Sequence, residues 1–141
     1  MTHTTLLGFD FGMKRIGVAV GQAITCSASP LITLSAKQGK PDWLALTELI
    51  DTWRPDALVV GIPLNMDGSS QFITRAAQYF ANQLEKRYPL TVYRMDERLT
   101  TVAARAEVFD AGGYKALKIS QIDSVAAKLI LEAWLLEHAE F

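Results

Sequence analysis

At 141 residues, half of them hydrophobic and 21% charged, the chain has the length and composition of one soluble domain, 1–141, that buries roughly two-thirds of its unfolded surface. A net charge of −1, from 14 basic and 15 acidic residues, excludes a broad cationic surface of the kind that holds nucleic acid by charge alone. A polyanion would have to be met by a local basic patch or through bound cations.

The single cysteine, Cys26, cannot close an internal disulfide, which fits a reducing compartment. Met1 to Thr5 has no basic region leading into an apolar stretch. Residues 125–136 are interrupted by Lys128 and Glu132 and are too short to span a bilayer. A cytoplasmic protein with no membrane partner is expected.

In chain order, residues 5–12 and 15–21 are apolar runs joined by Met13-Lys14, which predicts a hairpin, and 28–35 adds a third strand. Pro41-Asp42 opens a helix with Trp43, Leu46, Ile50 and Trp53 at helical spacing, and Pro55-Asp56 stops it. Residues 57–61 form a continuous apolar strand, the pattern of a strand covered on both faces. After the polar loop from Pro63 to Ser70, residues 71–87 read as a helix with Ile73, Ala76, Ala77, Phe80 and Leu84 inward. Residues 90–95 give a fifth strand, 100–110 a helix, and 121–138 the last helix, with an apolar stripe of Ala126, Leu129, Ile130, Ala133 and Leu136. Crossover helices force parallel pairing. The expected fold is α/β: a mixed five-stranded sheet, order 3-2-1-4-5, with helices on both faces.

Alternation on the first strand sets Leu7, Phe9 and Phe11 on one face and Gly8, Asp10 and Gly12 on the other; Gly17, Ala19 and Gly21 do the same on the second. One sheet face is expected to be thick and apolar and the other nearly bare, with Asp10 on the bare one. An aspartate inside an apolar strand is costly to bury unless paired, hydrogen-bonded or bound to a metal; alternatively, the small residues admit a helix and Asp10 caps a backbone amide. Asp96-Glu97 ends the fifth strand, and Asp123 stands in the first turn of the last helix, where a plain N-cap is the competing reading. With strand one at the switch point, these acids can converge in one cleft. Oxygen-only donors suit Mg²⁺ or Mn²⁺, and two such ions about 4 Å apart support in-line displacement at phosphorus. His3 and His138, near the termini, read as incidental.

Phe9-Asp10-Phe11-Gly12, Arg15-Ile16-Gly17-Val18-Ala19, Gly61 to Gly68, Asp96-Glu97-Arg98-Leu99-Thr100-Thr101 and Ile122-Asp123-Ser124 together resemble the YqgF (RuvX) family over nearly the whole chain. The resemblance implies an RNase H-like fold related to RuvC-type Holliday-junction resolvases. It also implies a nuclease of the bacterial cytoplasm that matures the 5′ end of pre-16S ribosomal RNA, with Asp10, Glu97 and Asp123 in the metal-binding catalytic positions. Resolvases carry a further aspartate one turn along the last helix, where this chain has Ala126 and Ala127.

Asn65, Arg98, Arg75 and Lys118 are the candidate substrate-binding residues. Arg105 and Lys115 extend the possible basic patch, the Gly112-Gly113 loop would let a strand approach, and Tyr114 could stack on a base. Each has a plainer reading: helix capping for Ser69 or Ser70, an Asp96 ion pair for Arg98, solvated charge for the rest. Asp96 is the alternative to Glu97, since a one-residue shift reverses strand facing. The expected partner is structured RNA in a pre-ribosomal particle. The alternatives are DNA-junction resolution, which needs a two-fold dimer where RNA trimming needs only a monomer, and a non-catalytic RNA-binding assembly factor. Asp-x-Gly on a first strand also opens actin-like ATPase domains, but those need two such halves, and no Walker motif is present.

Overall fold

A computed structural model describes residues 4–65, 67, 71–97 and 119–138, the first three of the last stretch by backbone alone. Its strands are β1 (Thr5–Asp10), β2 (Arg15–Gln22), β3 (Ser27–Lys37), β4 (Lys40–Pro41), β5 (Ala57–Ile62) and β6 (Thr91–Asp96). Its helices are α1 (Trp43–Trp53), α2 (Phe72–Arg87) and α3 (Ile119–Glu137). The expected helix over 100–110 lies outside the described residues.

The sheet runs β4-β3-β2-β1-β5-β6, the expected order with one strand more. The extra strand arises where Gln38 (φ 52°) and Gly39 (φ 80°) take the paired positive φ values of a two-residue hairpin turn. That turn folds Lys40–Pro41 back onto Ala36 and Lys37, a segment too short to show periodicity in sequence. β1 and β2 pair antiparallel, as do β2 and β3. β5 runs parallel to both β1 and β6. The C-terminal ends of β1, β5 and β6 therefore share one edge of the sheet.

Leu7, Phe9, Ile16 and Val18 face α1 and α2, packing with Leu46, Ala77, Phe80 and Leu84. The other face is covered too: Leu6, Ala19, Val59 and Met95 pack against Ala127, Ile130, Leu131, Trp134 and Leu135 of α3. The expected bare face is thus the seat of a closely docked helix. A Cβ at Gly8 would meet Leu131 Cβ at 2.8 Å, and one at Gly21 would meet Leu131 Cδ2 at 2.8 Å. Asp42 caps α1 as expected, its Oδ1 accepting from the N–H groups of Leu44 (3.1 Å) and Ala45 (3.2 Å).

Two expectations about packing are corrected. Trp53, at the last residue of α1, is 39% exposed rather than inward. The buried stripe of α3 is Ala127, Ile130, Leu131, Trp134 and Leu135, while Leu136 is exposed. That helix is apolar around most of its circumference, so spacing alone does not set its phase; Trp134 and the glycine-lined face do. Leu131→Ala is accordingly expected to cost about 2–5 kcal/mol and Leu136→Ala about 0.5 kcal/mol or less. Urea denaturation of the two variants checks the ordering.

Candidate active site

The β1–β2 register sets Asp10 opposite Gly17. A Cβ at Gly17 would stand 2.0 Å from the Asp123 carbonyl oxygen and 2.9 Å from the Ser124 nitrogen, so the backbone of α3 rests directly on this residue. That contact brings Asp123 beside Asp10. Asp123 is the fifth residue of α3, which begins at Ile119, so it belongs to the body of the helix; this corrects both the first-turn placement and the N-cap reading. On the other side of β1, the chain leaves extended geometry at Glu97, just past β6. Its carboxyl folds back over β5, where a Cβ at Gly61 would lie 2.6 Å from Glu97 Oε1. That oxygen is closed off from solvent.

Asp10 and Glu97 meet carboxyl to carboxyl. Burial above all, then the charge of Glu97, their shared hydrogen bond and the charge of Asp123, pushes the Asp10 carboxyl well above its usual range. Burial also raises Glu97, with the charge of Asp96 adding and the hydrogen bond to Asp10 opposing. Both carboxyls are raised, burial first in each case, as expected when two carboxyls joined by a hydrogen bond share one proton. Glu97 rather than Asp96 therefore faces Asp10.

The third acid is engaged differently: Asp123 Oδ2 accepts from Arg15 Nε at 3.0 Å. Arg15 was not among the sequence candidates, although alternation from Gly17 already sets it on the Asp10 face of β2. Among the described residues, no three carboxylate, imidazole or thiol groups form a ready coordination set. Two carboxyls meet, and the third is drawn to a guanidinium.

The profile of the family described as "RuvX: Holliday junction resolvase" matches residues 4–137. The chain belongs to the RuvX family. A relative from Legionella pneumophila (strain Paris) is 53% identical over 135 residues, 96% of this chain and 97% of its own length. One from Shewanella oneidensis is 51% identical over 138 residues, 98% of each. Both are named "Putative pre-16S rRNA nuclease".

Among solved structures, T. thermophilus RuvC in complex with a Holliday junction substrate superposes with a TM-score of 0.60 at 17% identity, covering 98% of this chain and 99% of that one. Fowlpox virus resolvase with Holliday junction DNA gives 0.55 at 12% identity, covering 97% and 100%. The fold is that of RuvC, in the RNase H-like class, as expected.

In this RuvX-family chain two of the four substrate-binding candidates, Asn65 and Arg75, fall among the described residues. Asn65 is exposed just beyond β5, and Arg75 is exposed on α2, on the sheet face opposite Asp10. Arg98, Arg105, Gly112-Gly113, Tyr114, Lys115 and Lys118 lie outside the described residues, as do His3, Ser69 and Ser70. The α2 N-cap is Gln71, whose N–H donates to Thr74 Oγ1 at 3.0 Å. His138 stacks on Trp134 with ring centroids 4.2 Å apart. Of Ala126 and Ala127, the pair expected to stand where resolvases carry a further aspartate, Ala127 is fully buried against the sheet.

Among the described residues, no helix is long and apolar enough to cross a membrane.

Proposed function

We propose that this chain is a metal-dependent nuclease that hydrolyses phosphodiester bonds in 5′-end maturation of pre-16S ribosomal RNA, working in the cytoplasm as the single domain 1–141. In this reading Asp10, Glu97 and Asp123 are its catalytic and metal-binding residues. The observation that carries it is the meeting of the Asp10 and Glu97 carboxyls at the shared edge of β1 and β6, with Asp123 brought alongside by Gly17. The names of relatives about 50% identical over nearly the full length supply the substrate.

The residues fit a hard divalent ion. Two buried oxygen donors share a proton because their charged forms are disfavoured together, and a cation can replace that proton. When bound, Mg²⁺ or Mn²⁺ supplies Lewis acidity at phosphorus and a water of lowered pKa. The chain's own part is positional. Asp10 and Glu97 surrender their shared proton and hold the charge, and Gly17 fixes the third carboxylate. Arg15, with its side chain 47% exposed, keeps Asp123 oriented and has further N–H donors to offer a phosphate oxygen.

Arg15 also competes for Asp123. Arg15→Gln is expected to raise Mn²⁺ affinity about 2- to 5-fold, the range of a partly exposed ion pair, while weakening RNA binding; calorimetric Mn²⁺ titration reads the first effect.

DNA-junction resolution is the second reading, favoured by the family's description as a Holliday junction resolvase. Cleavage assays in Mg²⁺ and Mn²⁺ on an RNA carrying the pre-16S 5′ leader and on a four-way DNA junction separate the two. The proposal expects RNA cutting that is lost in Asp10→Asn. Equal cutting by wild type and mutant would overturn it.

A further inference from the structure

Helix α2 carries an outward ridge that the carboxylate site leaves unexplained. Phe72 and Tyr79 are 65% and 61% exposed, unusual for aromatics on a helix whose other face is core. Arg75, Asn82 and Lys86 are exposed beside them. At 3.6 residues per turn these five positions fall within about 80° of the circumference and extend about 21 Å along the axis.

The helix has one acid, Glu85, exposed beside the ridge and paired with a cation from the sheet. Arg94 on β6 binds it at 2.9 Å and also reaches Asn82 Oδ1 at 2.7 Å and Gln78 Oε1 at 3.1 Å. Arg87 is turned away, lying 3.8 Å over the Trp43 ring. Asn82 apart, the ridge alternates aromatic ring and cation, Phe72, Arg75, Tyr79 and Lys86, on a chain whose net charge is −1. The ridge begins at Phe72, where the β5–α2 connection returns from the sheet edge that carries Asp10 and Glu97.

We infer that the Phe72–Arg75–Tyr79–Lys86 ridge of α2 is a docking track for an unpaired RNA segment. The cations meet phosphates while the rings stack on bases, a combination suited to single strands because every base presents a π-face. A protein partner would need a contiguous apolar patch, and the interleaved Arg75 and Lys86 break this one. The inference rests on the reading of the chain as an RNA nuclease and adds where the RNA is held.

The test is fluorescence anisotropy of the full-length protein with a labelled, unstructured RNA oligonucleotide in EDTA, where cleavage plays no part. Tyr79→Ala is expected to weaken binding about 5- to 150-fold, the range for one stacked base. Arg75→Ala with Lys86→Ala is expected to lower the salt slope by about 1.4, at roughly 0.7 per cation. Lys37→Ala, on β3 across the sheet, changes neither. Melting curves confirm that the variants are folded, since all these side chains are exposed.

Absence of RNA binding by the wild type, wild-type binding by the ridge variants, or an equal loss in Lys37→Ala would overturn the track. So would ridge variants that bind RNA normally but change the sedimentation of the protein, which would assign the face to a second copy. A protein that binds through the ridge yet cuts nothing would overturn the nuclease reading alone.

Discussion

Asp10→Asn is expected to abolish cleavage while raising the melting temperature of the metal-free protein. The loss of activity should exceed the roughly 100-fold typical of residues one shell removed from a metal, because Asp10 is the shared member of the cluster: it meets Glu97 and feels the charge of Asp123. The gain in stability comes from the same contacts. Metal-free Asp10 is held well above its ordinary 3.8, first by burial. An asparagine amide there donates to Glu97 without having to hold a proton against a neutral pH.

A group whose folded pKa is raised contributes stability below its unfolded pKa and loses it as pH rises through the folded value. The variant and wild type should therefore melt alike near pH 4 and separate toward neutrality, with the variant about 3 °C higher for each kcal/mol gained. Saturating Mg²⁺ should reverse the order by stabilising only the wild type. Calorimetry across pH, with and without Mg²⁺, reads all three effects. A variant that melts below wild type in EDTA at neutral pH would remove the electrostatic account of the pair.

Gly17→Ala is the second large effect expected. The added methyl has nowhere to go: at 2.0 Å from the Asp123 carbonyl oxygen, its obstacle is helix backbone rather than a pliable side chain. Either β2 or the start of α3 must move, at a cost of about 3 kcal/mol. Displacing α3 by about 1 Å would carry Asp123 from its place beside Asp10, and a misplacement of that size costs about 100-fold in rate. Leu131→Ala is the matched control. It weakens the same helix–sheet contact by leaving a cavity, with no collision at the site, so at low temperature the folded variant should cut at close to the wild-type rate. Gly17→Ala with unaltered kcat would show that the Gly17 contact does not position Asp123.

The fold was largely legible because its signals are local. β5 is buried at all six positions, as its unbroken apolar run required, and the crossover helices set β1, β5 and β6 parallel. What escaped was what local pattern does not encode. β4 is two residues held by a turn, and the phase of α3 is chosen by the sheet it lands on.

At the site, Asp10 stood out as an acid in an apolar strand, but the meaning of its small-residue face depended on which helix covered it. Of the two readings of that face, close helix packing is the one the structure shows: Gly8, Gly17 and Gly21 admit α3 closely, and the helix so admitted brings Asp123 beside Asp10. The choice between Asp96 and Glu97 turned on the chain leaving the strand between them, where alternation stops. Arg15 lies within reach of the alternation argument, two residues before Gly17 on β2, but an exposed arginine at a strand start carries no local signal of a carboxylate partner 108 residues away.

The central claim is that Asp10, Glu97 and Asp123 form one divalent-ion site, and anomalous diffraction from a Mn²⁺-soaked crystal tests it most directly. A Mn²⁺ peak is expected beside the Asp10 and Glu97 carboxylates, with Asp123 released from Arg15 to join them. Mn²⁺ bound elsewhere, or no peak at millimolar Mn²⁺ with the Asp10–Glu97 contact intact, would contradict it.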